Sequence, residues 1–266
     1  MSVRVYTGPH ASRRSTSPGP LLMSVPWLFA VVTVLGQIWW VLADADGRRL
    51  LTVATVLTFF LASSTHALLT RGVAWTLGYL AVTLVLGWAA EAVGTSTGLP
   101  FGDYAYSDAL GPTVGGVPFV IPLAWAMMAY PCLLAARALT RSAVLTPLVG
   151  MWLLATWDLF LDPQMVGEGY WTWASPEPAL PGIPGIPAQN YLGWLLVALA
   201  IMALLDRLPR RPGPDGVPAL LLLWTYVGGI VANAVFLGRP WVAVWGGVAM
   251  GIAVLPWLWR TWVDRP

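Results

Sequence analysis

Trp157-Asp158-Leu159-Phe160-Leu161-Asp162-Pro163-Gln164-Met165 closes an apolar run that begins near residue 143. Two carboxyls at this spacing share one helix face and emerge about 6 Å apart along its axis. The run is long enough to cross hydrocarbon, where ionisable groups are costly and need a structural or chemical reason. Gly169-Tyr170-Trp171-Thr172-Trp173 follows directly, in an aromatic segment rich in proline. The stretch therefore predicts a membrane helix that ends under a functional loop.

The rest of the chain agrees. It is 58% hydrophobic and 10% charged over 266 residues, with a mean hydropathy of +0.70, which excludes an ordinary soluble domain. Seven further runs have spanning length: 21–43, 50–70, 73–93, 117–138, 189–206, 218–237 and 240–258. The expectation is an all-α, polytopic transmembrane helical bundle of eight spans with two long outer loops, 94–116 and 162–188. Residues 1–20 are polar and basic and predict a disordered cytoplasmic tail, leaving 21–266 as a single transmembrane helical domain.

All fourteen basic residues are arginine, and eleven of them fall on the side of the tail. That asymmetry predicts a multi-pass protein of the cell membrane with both termini cytoplasmic, and it reads as topology, not nucleic-acid binding. With no lysine in the chain, Schiff-base chemistry is excluded. The single cysteine, Cys132, has no partner for an internal disulfide. Nine of the twelve acidic residues lie on the outer side, so acid chemistry is expected there.

Glu91 ends the third span at the membrane level of Asp158 and Asp162, and these three are the candidate catalytic groups. A carboxyl among Trp88, Trp125, Trp157 and Phe160 would be poorly solvated, which favours its neutral form. Such an acid can protonate an alkene, aromatic faces can shelter the tertiary cation, and water can capture it. Phe101, Tyr104, Tyr106, Trp125, Tyr130, Trp157, Tyr170, Trp171 and Trp173 are the candidate substrate-binding rings. Asn190 opens the sixth span beneath the second loop, to cap it or hold a water. His66 lies near the other end of its span, so no metal site and no cofactor are expected. The plainer alternatives are a solvated helix end for the carboxyls and an interfacial belt for the rings.

Phe101-Gly102-Asp103-Tyr104-Ala105-Tyr106, Gly116-Val117-Pro118 through Trp125, Trp157 through Pro163, Gly169 through Trp173, and Gly185-Ile186-Pro187 through Asn190-Tyr191-Leu192-Gly193-Trp194 stand in an order that resembles the membrane-embedded carotenoid hydratases. This is the family of the gamma-carotene and bisanhydrobacterioruberin hydratases, and the resemblance covers roughly residues 85–205. It implies cofactor-free addition of water to the terminal double bond of an acyclic carotenoid, in the lipid bilayer and in association with other enzymes of the pathway. Within that reading Asp158 is the first choice of acid and Glu91 the second, with Asp162 or Glu168 positioning water. A membrane carotenoid cyclase, a Mg-dependent prenyltransferase and a non-catalytic carotenoid-binding or transport protein are the competing functions.

Overall fold

The computed structural model describes residues 19–263, so the expected tail lies outside the described residues except for Gly19 and Pro20. Eight long helices follow in order: α1 Pro20–Leu42, α2 Ala45–Arg71, α3 Val73–Thr97, α4 Val120–Leu139, α5 Leu145–Gly167, α6 Ala188–Leu205, α7 Gly216–Val231 and α8 Pro240–Val263. The all-α polytopic bundle expected from the sequence is what forms. Seven helices are long and apolar enough to cross a membrane, α7 being counted with the π-helical turn Ala232–Phe236 that extends it. The remaining one, α5, has matching length and carries the two aspartates.

Local chemistry sets the boundaries. Asp44 caps α2 by accepting a hydrogen bond from the Gly47 amide at 2.8 Å. Gly72 ends α2 and starts α3 in a single residue, at a φ of 84° that a side chain would make costly. α5 runs six residues past the expected end at 161, because Pro163 is absorbed inside the helix and Gly169, at φ 73°, turns the chain only afterwards. α4 begins at Val120, not 117, since Val117 and Pro118 pair with Thr113 and Val114 in a small ribbon.

α4 is the central helix, with 78% of its apolar window buried, while the corresponding windows of α1 and α7 are 17% buried and face outward. Small residues bring the other helices close to it: a Cβ on Gly87 of α3 would sit 3.0 Å from the Trp125 ring of α4. The two long connections are not open loops. Strand β1, Tyr104–Tyr106, pairs antiparallel with Trp171–Trp173, so one connection is stitched to the other over the end of the bundle.

The opposite end is held by buried charge and imidazole. Arg137 donates to Asp206 at 2.9 Å and to the carbonyls of Leu205 and Leu208, Arg71 bonds Asp215, and His66 bridges the Tyr130 hydroxyl and the Pro214 carbonyl at 2.8 Å each. These contacts pin the α6–α7 linker. Arg137 thus does more than anchor topology. Removing one member of a buried pair leaves the other uncompensated, at about 3–5 kcal/mol. Arg137→Met is expected to lower the thermal unfolding midpoint in detergent markedly. Arg49→Met, whose partner Asp46 is 94% exposed, should leave that midpoint where it was.

Candidate active site

Three carboxyl groups are buried under the stitched loops, Asp158 at 0%, Asp162 at 2% and Glu91 at 5% exposure. Asp158 and Asp162 lie one turn apart on α5, as their spacing requires. Asn190, in the first turn of α6, points its amide nitrogen between them, 2.9 Å from Asp158 Oδ2 and bonded also to Asp162 Oδ2. One amide nitrogen thus holds the two buried carboxyls close together, and two such groups in a poorly solvated place favour a shared proton over two charges. The Trp171 indole N–H donates to Asp162 Oδ1 at 3.2 Å, whereas Asp158 Oδ1 has no partner among the described residues.

Glu91 is held differently. The Trp125 indole N–H donates to Oε1 at 2.9 Å, the Tyr106 hydroxyl to Oε2 at 2.7 Å, and the Tyr104 hydroxyl to the same Oε2. A carboxylate that receives three donors is well suited to keep its charge without a cation. Burial first, and the Glu91 charge second, push both loop phenols well above the ordinary tyrosine range. Tyr104 and Tyr106 therefore remain O–H donors throughout the working pH range.

Between the two carboxyl sets lies a small cavity of about 50 Å³. Glu91, Asp162, Asn190 and Thr52 supply its polar wall, and Phe101, Tyr104, Tyr106, Trp125, Trp171, Trp173 and Trp194 its aromatic wall; among the described residues no arginine lines it. Trp125 and Trp194 stack with centroids 3.9 Å apart, and Trp157 meets Trp194 edge-on. Period-two alternation on the loop ribbon turns Tyr104, Trp171 and Trp173 inward and leaves Ala105 and Thr172 exposed.

Several expected residues stand elsewhere. Asp158 is fully buried behind Asp162 and Asn190 and does not line the cavity, so the first-choice acid of the sequence reading has no direct access to it. Tyr130 is seven to eight ångströms further along α4 than Trp125, on about 1.5 Å per residue, and packs on His66, Trp75 and Tyr79. Tyr170 is buried outside the cavity, its hydroxyl 3.5 Å from Thr52. Trp157 lines an adjoining groove. Trp88 is half-exposed and bonds the Val114 carbonyl, Phe160 packs against Gly229 and Gly246, and Glu168 is paired with Arg48 at 3.1 Å. Asn190 neither caps α6 nor stands free, because both aspartates claim its amide. Trp194 escaped the sequence reading, although it lies four residues after Asn190 on the same helix face.

A bisanhydrobacterioruberin hydratase of Haloarcula japonica is 33% identical over 108 residues, covering 38% of this chain and 36% of that protein. The matched segment thus spans about a third of that relative's length. No solved structure gives a significant match. The family model described as carotenoid biosynthesis protein matches residues 50–256, a stretch that takes in α2 through most of α8 and all three buried carboxyls. On that match the chain, an integral membrane helical bundle, belongs to the carotenoid biosynthesis protein family.

Proposed function

We propose that the protein is a carotenoid hydratase, a hydro-lyase that adds water across the terminal double bond of an acyclic carotenoid end group and leaves a 1-hydroxy end. One observation carries this reading: an aromatic cavity has Asp162, backed by Asp158, on one wall and a triply bonded Glu91 on another. The two walls are equipped for opposite halves of an acid–base reaction. The relative's name, a hydratase, supports the same class of chemistry.

Asp162 delivers its proton to the CH carbon of the terminal alkene. The π pair becomes the new C–H bond, and the neighbouring carbon is left as a tertiary cation. The faces of Trp125, Trp171 and Trp194 stabilise that cation, and the negative Glu91 lies across the cavity from Asp162. A water oxygen bonds to the cation and gives up a proton to Glu91 or to the emptied Asp162. Alkene and water are consumed and a tertiary alcohol results, with no electron transfer and no leaving group. Asp158 is a positioning residue: it shares the Asn190 amide with Asp162 and so holds the acid in place. Asp162 thereby takes the acid role that the sequence alone gave to Asp158.

Seven of the ten described arginines lie at the end opposite the stitched loops. Their distribution supports a cell-membrane orientation with the site at the outer face and both termini inside. Product handed on within the bilayer would favour association with other enzymes of the pathway. The absence of any arginine from the cavity wall argues against a diphosphate substrate.

Expression in a host that makes lycopene or a longer acyclic carotenoid is expected to yield pigments heavier by one or two waters. Unchanged pigment with folded protein present would defeat the reading, and an isomer of unchanged mass would point to cyclisation. Asp162→Asn should lower turnover about a thousandfold, and Asp158→Asn by less, since asparagine keeps the bond to Asn190 but holds no acidic proton. Product retained in Asp162→Asn but lost in Asp158→Asn would return the acid role to Asp158.

A further inference from the structure

Beside the carboxyl cavity runs a larger groove, about 390 Å³, between α1, α2, α4, α5 and α7 with its π turn. The two spaces share the wall made by Thr52, Val56, Ala124, Leu161 and Met165, so only these side chains separate the groove from the cavity. Its lining comes from the loop-side half of the bundle only: α1 from Gln37 onward, α2 as far as Phe59, α5 from Trp157 and α7 from Trp224. The outer rim is not aqueous. Ile38, Val227 and Val231 line the groove yet are 46%, 45% and 44% exposed on the two helices with the least buried windows. A surface of this kind on a membrane helix faces hydrocarbon.

We infer that this groove is the channel through which the polyene enters sideways from the bilayer, reacting end first, with the end group in the carboxyl cavity and the adjoining conjugated segment against Trp40, Trp157 and Trp224. The inference rests on the hydratase reading for what happens in the cavity, but not for what fills the groove. A long unsaturated hydrocarbon fits the apolar walls, the lipid-facing rim and the adjoining cavity together, because a chain lying in the groove presents its terminus toward Asp162. The groove stops within one half of the bundle, so the far end of the substrate stays in lipid. The protein then reads an end group and the segment next to it, not the length of the chain, and takes one end per encounter. For a substrate with two reactive ends, the singly hydrated product is released and accumulates before the doubly hydrated one.

Two substitutions narrow the groove without touching the carboxyls. The three atoms nearest a Cβ on Gly228 all belong to the Trp224 ring, the closest at 3.4 Å, so Gly228→Leu adds bulk to the groove wall without a tight contact at its Cβ. Val227→Trp does the same from the half-exposed rim. The measurement is the ratio of kcat/KM for a full-length acyclic polyene over that for a short isoprenoid bearing the same terminal alkene. Both variants are expected to lower this ratio about tenfold or more while the purified proteins keep the wild-type melting point. An unchanged ratio in folded protein overturns the channel. Binding is read separately in the inactive Asp162→Asn protein, as visible circular dichroism induced in the bound polyene. The signal should appear with that variant and vanish when Gly228→Leu is added; its absence from the first, or persistence in the second, also overturns the channel. Induced dichroism that obeys this pattern, together with a wild-type protein that adds no water, would keep the channel and sink the hydratase reading.

Discussion

Three carboxyls buried in the hydrocarbon half of a bundle, with no cation beside them, are the constraint that shapes this protein. Each must find hydrogen-bond donors or keep a proton, because an isolated charge there is too costly to hold. The fold meets the requirement twice and in different ways. Glu91 is given an indole and two phenols, while Asp158 and Asp162 are given one asparagine amide and one indole. Four of those donors come from outside α3, α4 and α5: from the two ribbon strands and the first turn of α6.

The stitched loops therefore serve as part of the site, not only as a cover. Pairing Tyr104 with Trp173 and Tyr106 with Trp171 fixes which side chains turn inward, and a slip of one residue would present Ala105 and Thr172 to the carboxyls. Aromatic donors suit the place, since a single residue contributes both an N–H or O–H and an apolar face. Phe101 is locked beneath the ribbon by its edge contact with Tyr104 and by Gly193, where an added Cβ would fall 2.8 Å from its ring.

Most of the architecture was legible in the residue order. Apolar run lengths returned the eight helices, and the alternating arginines placed the long connections together. Boundaries failed where a proline was absorbed in α5 and where Val117-Pro118 joined a ribbon instead of a helix. The ribbon itself had a signal that went unread, for Tyr-Ala-Tyr and Trp-Thr-Trp both alternate with the period of a strand. For the site, the carboxyls and most of the rings were visible as unusual groups at one membrane level. The order of Asp158 and Asp162 was not, because residues four apart share a face and only the packing of α6 against α5 decides which is sealed and which looks into the cavity. Tyr130 was misplaced for the converse reason: it sits on the right helix, but five residues from Trp125 is more than one turn and the wrong face.

The proposed hydration needs two routes, because water and a polyene cannot share one. In that reading the hydrocarbon approaches from the side, where α1 and α7 expose apolar surface, and water enters at the loop-bearing end. Were the carboxyls placed at the middle of the bilayer, an alkene would reach them easily but no water would intercept the cation. Were they in the loops proper, water would be abundant, yet it would solvate the acid and weaken its power to protonate a carbon–carbon bond. Burial within the last three turns of a helix, beneath a structured loop, is the position at which both demands of the proposed reaction are met. That is why Asp158 and Asp162 occupy the last turns of an otherwise apolar helix.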